Sequence, residues 1–332
     1  TLLHDSQGWQ PPQLQPPLAQ AFSVYAAAMA ALYALLNTWV GRTEAFNHRR
    51  ASLTVMAPLL WLALCYLLLG ELSADWRWAV AGLGAGLAYA ILARRVRSAG
   101  AESALPWLIL ASHFSYSLAA AMLLREATLT LALAAQLVSV AWLIRRYPLP
   151  PLVWLMKGVL GVVLLRLTLN PWLLTYPEDV HWSLWTYGGA TALAAVAGRV
   201  LGDHPTLRPW LALATLQLLV LFLAAETRYW LYDGDIFRAE YSLTEAAINT
   251  ALWTLLGLVY YRRSLISEHL GRLYSVASTV LLVAGAYSYL LTLTILNPLL
   301  TGAEVSSRPL WNLVSGAYGV PVLLGLLLIR YY

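Results

Sequence analysis

Charged residues are scarce in this chain, and their scarcity argues against a water-soluble globular protein. Only 11% of the 332 residues are Asp, Glu, Lys or Arg, and 60% are hydrophobic. A typical soluble domain has about 25% charged residues. The apolar residues occur in blocks of about twenty, the helix length that crosses about 30 Å of hydrocarbon. The composition therefore predicts an integral membrane protein.

Cysteine is almost absent, and the motifs of several enzyme classes are missing. The single cysteine, Cys65, excludes an intrachain disulfide and cannot supply a metal site by itself. No Walker loop, HExxH, GxSxG or CxxC motif occurs, so ATPase, metalloprotease and serine hydrolase activities have no support. The sequence therefore predicts neither a metal site nor a cofactor.

The apolar blocks predict an all-α, polytopic membrane protein of about eleven transmembrane helices. A polar, proline-rich segment, 1–17, precedes them. The predicted helices are 18–40, 51–70, 75–93, 104–124, 126–144, 150–169, 182–201, 207–226, 242–261, 271–296 and 309–329.

Arginine distribution predicts the orientation of these helices. The loops that follow the odd-numbered helices are basic and the alternate loops are acidic, which places the basic loops in the cytoplasm. The N-terminus is then outside and the C-terminus inside a bacterial inner membrane. Since the basic residues lie in short loops and not on one helix face, the net charge of +5 does not favour nucleic-acid binding. The basic loops contain Arg42, Arg49, Arg50, Arg94, Arg95, Arg97, Arg145, Arg146, Arg199, Arg208, Arg262, Arg263 and Arg272.

Short segments recur in the same order along the chain. The segment 105–111, LPWLILA, recurs as RPWLALA at 208–214, and the triplet Leu-Asn-Pro at 169–171 recurs at 296–298. These matches predict a repeating unit of about four helices. An even number of spans in each unit makes the copies parallel and not inverted.

The repeat divides the chain into five segments, and a chain cut within a unit at both ends is expected to be part of a longer array. The segments are 1–17, the outer polar segment; 18–74, a partial repeat; 75–174 and 175–300, the first and second four-helix repeats; and 301–332, the start of a further repeat or a C-terminal helix.

Three segments carry a family resemblance. The run 125–132, the helix that ends at Arg145-Arg146, and the run 167–172 resemble a bacterial family of very large predicted membrane proteins, catalogued as a domain of unknown function. The resemblance implies an inner-membrane protein with many helices in repeating units. It implies no catalytic residue and no substrate.

His113 is a candidate for a functional residue within a span. It lies midway along the fourth predicted helix, in the polar run Ser112–Ser117. Polar groups at membrane depth are costly and often functional. His113 could bind a ligand or relay protons; a hydrogen bond between helices is the alternative that the sequence favours.

Mixed charges are predicted to meet at the outer ends of several helices. Arginine forks there could bind a phosphate or an acidic lipid headgroup; the alternative is ion pairing among the helix ends themselves. The candidates are Arg125, Glu126, Arg166, Glu226 and Arg228.

The longest outer loop contains Asp233-Gly234-Asp235, which gives two weak catalytic candidates. Carboxylates there could hold a divalent cation or act as a base, although Asp-Gly-Asp is also ordinary turn chemistry. The leading prediction for function is a helical-repeat scaffold or transport-type component for envelope material. The alternative is a membrane enzyme that acts on lipid-linked sugars or lipids at the outer face. Expected partners are membrane lipids and other envelope membrane proteins, with no nucleic acid.

Overall fold

The regular secondary structure of the described residues is entirely helical. The computed structural model describes residues 48–69, 75–98, 104–124, 126–147, 149–170, 181–302 and 312–331, with 21–22, 24–26, 28–30 and 32. The helical residues between 21 and 32 form α1. The other helices are α2 (His48–Leu69), α3 (Trp76–Ser98), α4 (Leu105–Leu123), α5 (Glu126–Arg146), α6 (Pro150–Leu169), α7 (Gly189–Leu201), α8 (Leu207–Leu231), α9 (Leu243–Ile266), α10 (Gly271–Leu293), α11 (Pro298–Thr301) and α12 (Val320–Tyr331).

Six helical stretches among the described residues are long and apolar enough to cross a membrane. They comprise α3, α4, most of α5, α6, α8, and the stretch from α10 to Thr301. Two shorter apolar helices cover 52–68 and 315–330. The helices begin and end close to the predicted positions, which confirms the all-α membrane class. The count of about eleven spans stays a prediction.

The long helices expose apolar side chains whose contact with water would be unfavourable. Along α10, Val276, Val280, Val283 and Tyr287 are each more than 60% exposed. Soluble proteins rarely expose a continuous apolar stripe of this kind. In a bilayer the same stripe contacts lipid tails, so the outward-facing residues agree with the class predicted from composition.

The chain divides into two compact units, 1–163 and 164–332. In the first unit, α3 and α4 pack closely because α3 presents glycine to α4. A Cβ atom at Gly86 would overlap the Tyr116 ring. Ser112 Oγ donates a hydrogen bond to the Gly86 carbonyl at 2.9 Å. Small residues with a hydroxyl bond are a common means of joining membrane helices.

The second unit uses the same arrangement between α9 and α10. A Cβ atom at Gly257 would lie 2.8 Å from the Leu282 side chain, and Ser278 Oγ donates to the Gly257 carbonyl at 2.8 Å. One serine and one glycine therefore join a helix pair in each unit.

Two π-helical turns in the second unit have similar sequences and similar contacts. Leu184–Gly188 precedes α7 and Ser315–Gly319 precedes α12, and both turns end in Tyr-Gly. The Tyr187 hydroxyl donates to the Leu167 carbonyl at 3.1 Å in α6. The Tyr318 hydroxyl donates to the Thr292 carbonyl at 2.7 Å in α10. π turns are rare, so the matched pair is a notable internal likeness.

A candidate ligand cavity beside His113

A cavity of about 410 Å³ lies among α3, α4 and the second half of α5, wholly within the first unit. Ligand sites in proteins are commonly 300–1,000 Å³, so a small molecule or part of a lipid fits this volume. Its walls are mainly apolar, with polar groups at two places. The lining residues are Ala90, Ala93, Arg94, Arg97, Leu105, Ile109, Ser112, His113, Tyr116, Gln136, Ser139, Trp142, Leu143 and Tyr147.

His113 forms the polar part of the cavity near the middle of the span. The residue is 7% exposed. Its ring packs edge to face against the Tyr116 ring, with the ring centres 6.3 Å apart. Its buried Nδ1 atom has no hydrogen-bond partner among the described residues. A buried polar atom without a partner costs about 1–3 kcal/mol. A bound ligand or water that reached Nδ1 would remove that cost.

Two hydroxyl groups near His113 already have partners on neighbouring helices. Ser112 bonds to α3, as described above. Ser117 Oγ donates to Gln136 Oε1 at 2.7 Å and so joins α4 to α5. These bonds hold the three helices around the cavity.

Arg94 and Arg97 form the other polar place, near the end of α3. Both side chains are exposed at this basic end of the unit. Arg97 Nη1 donates to the Tyr147 hydroxyl at 2.6 Å, and its guanidinium lies 4.7 Å from the centre of the Tyr147 ring. Leu105, Ile109 and Leu143 belong to the apolar wall. The cavity thus combines cations and an imidazole with a mainly apolar lining.

A second polar group, the Glu226 cluster, lies in the second unit and consists of Glu226, His181, Ser183, Tyr229 and Trp230. The Glu226 carboxylate lies 3.0 Å from His181 Nε2. It accepts hydrogen bonds from Ser183 Oγ at 2.7 Å and from Trp230 Nε1 at 2.9 Å. His181 stacks on the Tyr229 ring, with the ring centres 3.8 Å apart. The carboxylate is therefore well supplied with donors.

The Glu245 cluster consists of Glu245, Arg228, Tyr232, Ser242 and Arg238, and it closes the loop between α8 and α9. Glu245 is 1% exposed; it accepts from the Tyr232 hydroxyl at 2.6 Å and lies 3.6 Å from Arg228 Nε. Arg228 Nη2 donates to the Arg238 carbonyl at 2.5 Å. Ser242 Oγ caps α9 by accepting from the Glu245 amide at 3.1 Å. This cluster orders the loop.

Asp233 and Asp235 are exposed in the turn that follows α8. Asp233 has a positive φ of 51°, and Asp235 Oδ1 accepts a hydrogen bond from the Phe237 amide at 3.1 Å. These are features of turn-forming aspartates. Within the described part of the chain, no group of three or more His, Cys, Asp or Glu side chains could hold a metal ion.

The family of this chain follows from comparison with known protein families. Residues 6–332 match the family described as predicted membrane protein, DUF2339. The chain belongs to the DUF2339 family. This family of unknown function is the kind that the sequence resemblance indicated. No curated protein and no solved structure matches the chain.

Of the predicted outer charges, the structure of this DUF2339 chain gives the partners of Glu226 and Arg228, and the meeting of all five stays a prediction. Glu226 and Arg228 both lie in the last turns of α8 but engage different clusters. Arg166 is half-buried near the end of α6 and has an interaction of its own. Arg125 lies outside the described residues, as does the side chain of Glu126.

Sequence reasoning missed several residues that the structure brings into these sites. Arg94 and Arg97 were used only to predict orientation, and neither His181 nor Tyr147 was singled out. Glu245 had a recognisable signal, because Ser242-Leu-Thr-Glu245 is a capping-box pattern. The roles of Arg94, Arg97 and His181 depend on residues far away in the sequence, so no local pattern indicated them.

Proposed function

We propose that this chain is a transport-type component of the bacterial inner membrane that takes a ligand into the cavity beside His113. One observation carries the proposal: the partnerless Nδ1 belongs to a buried residue that lines a cavity of ligand size, near the middle of a membrane-spanning helix. A purely structural scaffold has no need of such an arrangement. The outer-face enzyme lacks comparable support, since Asp233 and Asp235 lie exposed in a turn.

The same proposal includes the orientation, with the N-terminus outside and the C-terminus inside. The arginine-rich loops support it. In this orientation Arg94, Arg97 and Tyr147 lie on the cytoplasmic side, so the ligand approaches the cavity from within the cell. Cysteines introduced beside Arg95 and Arg262 should resist an impermeant thiol reagent in intact cells, whereas one beside Asp233 should react. Reaction of the Arg95 site from outside contradicts the orientation.

The proposal also includes about eleven spans, built from parallel four-helix repeats. The two π turns support the repeat, because each follows a Leu-Asn-Pro triplet and bonds back to the preceding long helix. The exposed residues Leu169 and Leu299 then lie on the same side of the membrane. Leu169→Cys and Leu299→Cys should both react with an impermeant maleimide in intact cells. Reaction from opposite sides excludes parallel repeats.

Transport is tested by asking from which side the cavity can be reached. In a Cys65→Ser background, Ser112→Cys places a thiol on the cavity wall. Ser115→Cys is the matched control, because Ser115 is fully buried on the same helix and bonds to the Ala111 carbonyl at 2.7 Å. An impermeant maleimide is applied to inverted vesicles and, separately, to right-side-out vesicles.

We expect Ser112→Cys to react quickly from the cytoplasmic face and slowly from the outer face, as a site with alternating access does. Ser115→Cys should react from neither face. Reaction from the cytoplasmic face alone indicates a one-sided binding site and overturns transport. No reaction from either face shows a closed void and overturns the ligand cavity as well.

A further inference from the structure

We infer that the ligand of this cavity is an anionic amphiphile of the inner leaflet. Its acidic head would lie at Arg94, Arg97 and Tyr147, and its apolar chain would lie along the apolar wall that Leu105, Ile109 and Leu143 form, between that end and His113. This inference rests on the proposed function and names the class of substrate. It follows from the separation of charged and apolar groups within one cavity.

The basic end has the chemistry of an anion site. Arg94 and Arg97 are three residues apart on one helix, so their side chains share a face. Among the described residues, no carboxylate forms an ion pair with either one. Because the Tyr147 oxygen accepts from Arg97, its own O–H remains able to donate. Two guanidinium groups and a phenol suit a phosphate or carboxylate.

The remaining wall has the chemistry of a lipid-tail site. Leu105, Ile109 and Leu143 supply apolar surface, and Ala90 and Ala93 on α3 leave room between the helices. Trp142 lines the cavity and is 57% exposed, so one side of the cavity is open beyond the helix bundle of this unit. A tail could enter from the bilayer through that side.

A ligand that contacts only the basic end, or only the apolar wall, leaves the other part of the cavity unused. A small water-soluble anion would use the arginines and leave the apolar wall without a partner. A neutral lipid would fill the apolar wall and make no use of the two guanidinium groups. An anionic head on an apolar chain satisfies both, and the cytoplasmic leaflet of a membrane is where anionic lipids meet juxtamembrane arginines.

The test measures retained lipid by native mass spectrometry. The full chain is reconstituted in nanodiscs that contain equal amounts of phosphatidylglycerol and phosphatidylcholine, then released into detergent. The variant is Arg94→Gln with Arg97→Gln. Arg95→Gln is the matched control, because Arg95 is an exposed arginine of the same helix that does not line the cavity.

Wild type and Arg95→Gln should retain phosphatidylglycerol in preference to phosphatidylcholine. The double variant should lose that preference by a factor on the order of ten, as expected for lost charge-assisted hydrogen bonds. Equal retention of the two lipids by wild type overturns the inference. An equal loss in Arg95→Gln also overturns it, since the effect would then be general surface charge.

A competition experiment separates a lipid from a free phosphate. Glycerol phosphate carries the headgroup chemistry without the chain, so it should fail to displace phosphatidylglycerol. Ala90→Phe, which fills the apolar part, should lower retention with both arginines intact. Displacement by glycerol phosphate, with no effect of Ala90→Phe, identifies a soluble anion site and overturns the amphiphile.

The two proposals fail in different ways. If Ser112→Cys reacts from both faces while lipid preference ignores Arg94 and Arg97, transport stands and the ligand class is wrong. If lipid preference depends on both arginines while Ser112→Cys reacts from neither face, the lipid site stands and transport is wrong.

Discussion

The cavity beside His113 and the Glu245 cluster differ in whether their buried polar side chain has a partner. Glu245 has a hydroxyl donor and a guanidinium within reach, and its side chain is almost completely buried. His113 is nearly as buried, yet its Nδ1 has no partner in the described structure. A partnered polar group stabilises the fold, whereas a partnerless one that belongs to a cavity-lining residue has no such bond to lose.

The loss of stability on replacing Glu226 is expected to lie between the losses for Glu245 and for His113. The Glu226 carboxylate has donors from His181, Ser183 and Trp230, but its side chain is 14% exposed. Partial access to solvent weakens the penalty for losing a partner. The comparison therefore predicts a graded series of effects on stability, largest for Glu245 and smallest for His113.

Glu245→Ala should have the largest effect on stability. It removes the acceptor of the Tyr232 hydroxyl and leaves Arg228 without its carboxylate, and breaking a buried pair costs about 3–5 kcal/mol. Thermal unfolding in detergent measures the loss. The control is Glu240→Gln, an exposed carboxylate that pairs with Arg238 and should cost less than about 1 kcal/mol. Equal losses would show that the Glu245 cluster contributes nothing special.

Glu226→Ala should have an intermediate effect of about 2 kcal/mol, because three donors lose a shared acceptor that is only partly shielded from water. The melting temperature in detergent should fall, and it should fall less for Glu226→Gln, which keeps an acceptor oxygen. The reverse order of the two variants would mean that charge repulsion, and not hydrogen bonding, dominates this cluster.

Gly86→Ala should reduce both stability and access to the cavity. Its Cβ atom would overlap the Tyr116 ring, which lines the cavity, and overpacking costs about 1–3 kcal/mol. Gly84→Ala is the control on the same helix, because no atom lies within 4 Å of the added carbon. The check is the melting temperature together with maleimide reactivity of Ser112→Cys. A tolerated Gly86→Ala with unchanged reactivity contradicts the described contact of α3 and α4.

His113→Leu should have the smallest effect on stability, with a change of at most about 1 kcal/mol, because no hydrogen bond of Nδ1 is lost and an unsatisfied polar atom is removed. Thermal unfolding in detergent measures the change. A loss of stability as large as that of Glu245→Ala would show that His113 is a structural residue and would remove the contrast between the two regions.

Much of the fold was predictable because a bilayer imposes simple rules on sequence. Helix length, the apolar blocks and the all-α class follow from the thickness of the hydrocarbon and from the need to satisfy every backbone group within a helix. Helix ends were predicted within a few residues in most cases, as at α6, where Pro150 begins the helix and Asn170 follows it. The π turn at Leu184–Gly188 was not predicted, because its geometry depends on the contact of Tyr187 with α6.

The candidate site was only half predictable. His113 could be singled out, because a histidine in the middle of an apolar block is conspicuous in any sequence. Arg94, Arg97 and Tyr147 could not, because arginines at a helix end are ordinary topology signals and the tyrosine follows a different helix, α5. Similarly, Glu226 was predicted as part of one mixed cluster, whereas its partners His181 and Ser183 come from the beginning of the seventh predicted helix.

The sequence by itself determined that this protein lies in a membrane, and it determined its helical class and its family. These properties depend on composition and on spacing along one chain. Only the tertiary structure decided which polar groups acquired partners. The packing of α3 against α4 through Gly86, and the Ser117–Gln136 bond between α4 and α5, leave a void beside His113. In the second unit, Tyr232 and Arg228 from the end of α8 and the loop after it contact the buried Glu245. Whether a buried polar group has a partner is set by side chains from other helices, and spacing within one helix contains no information about them.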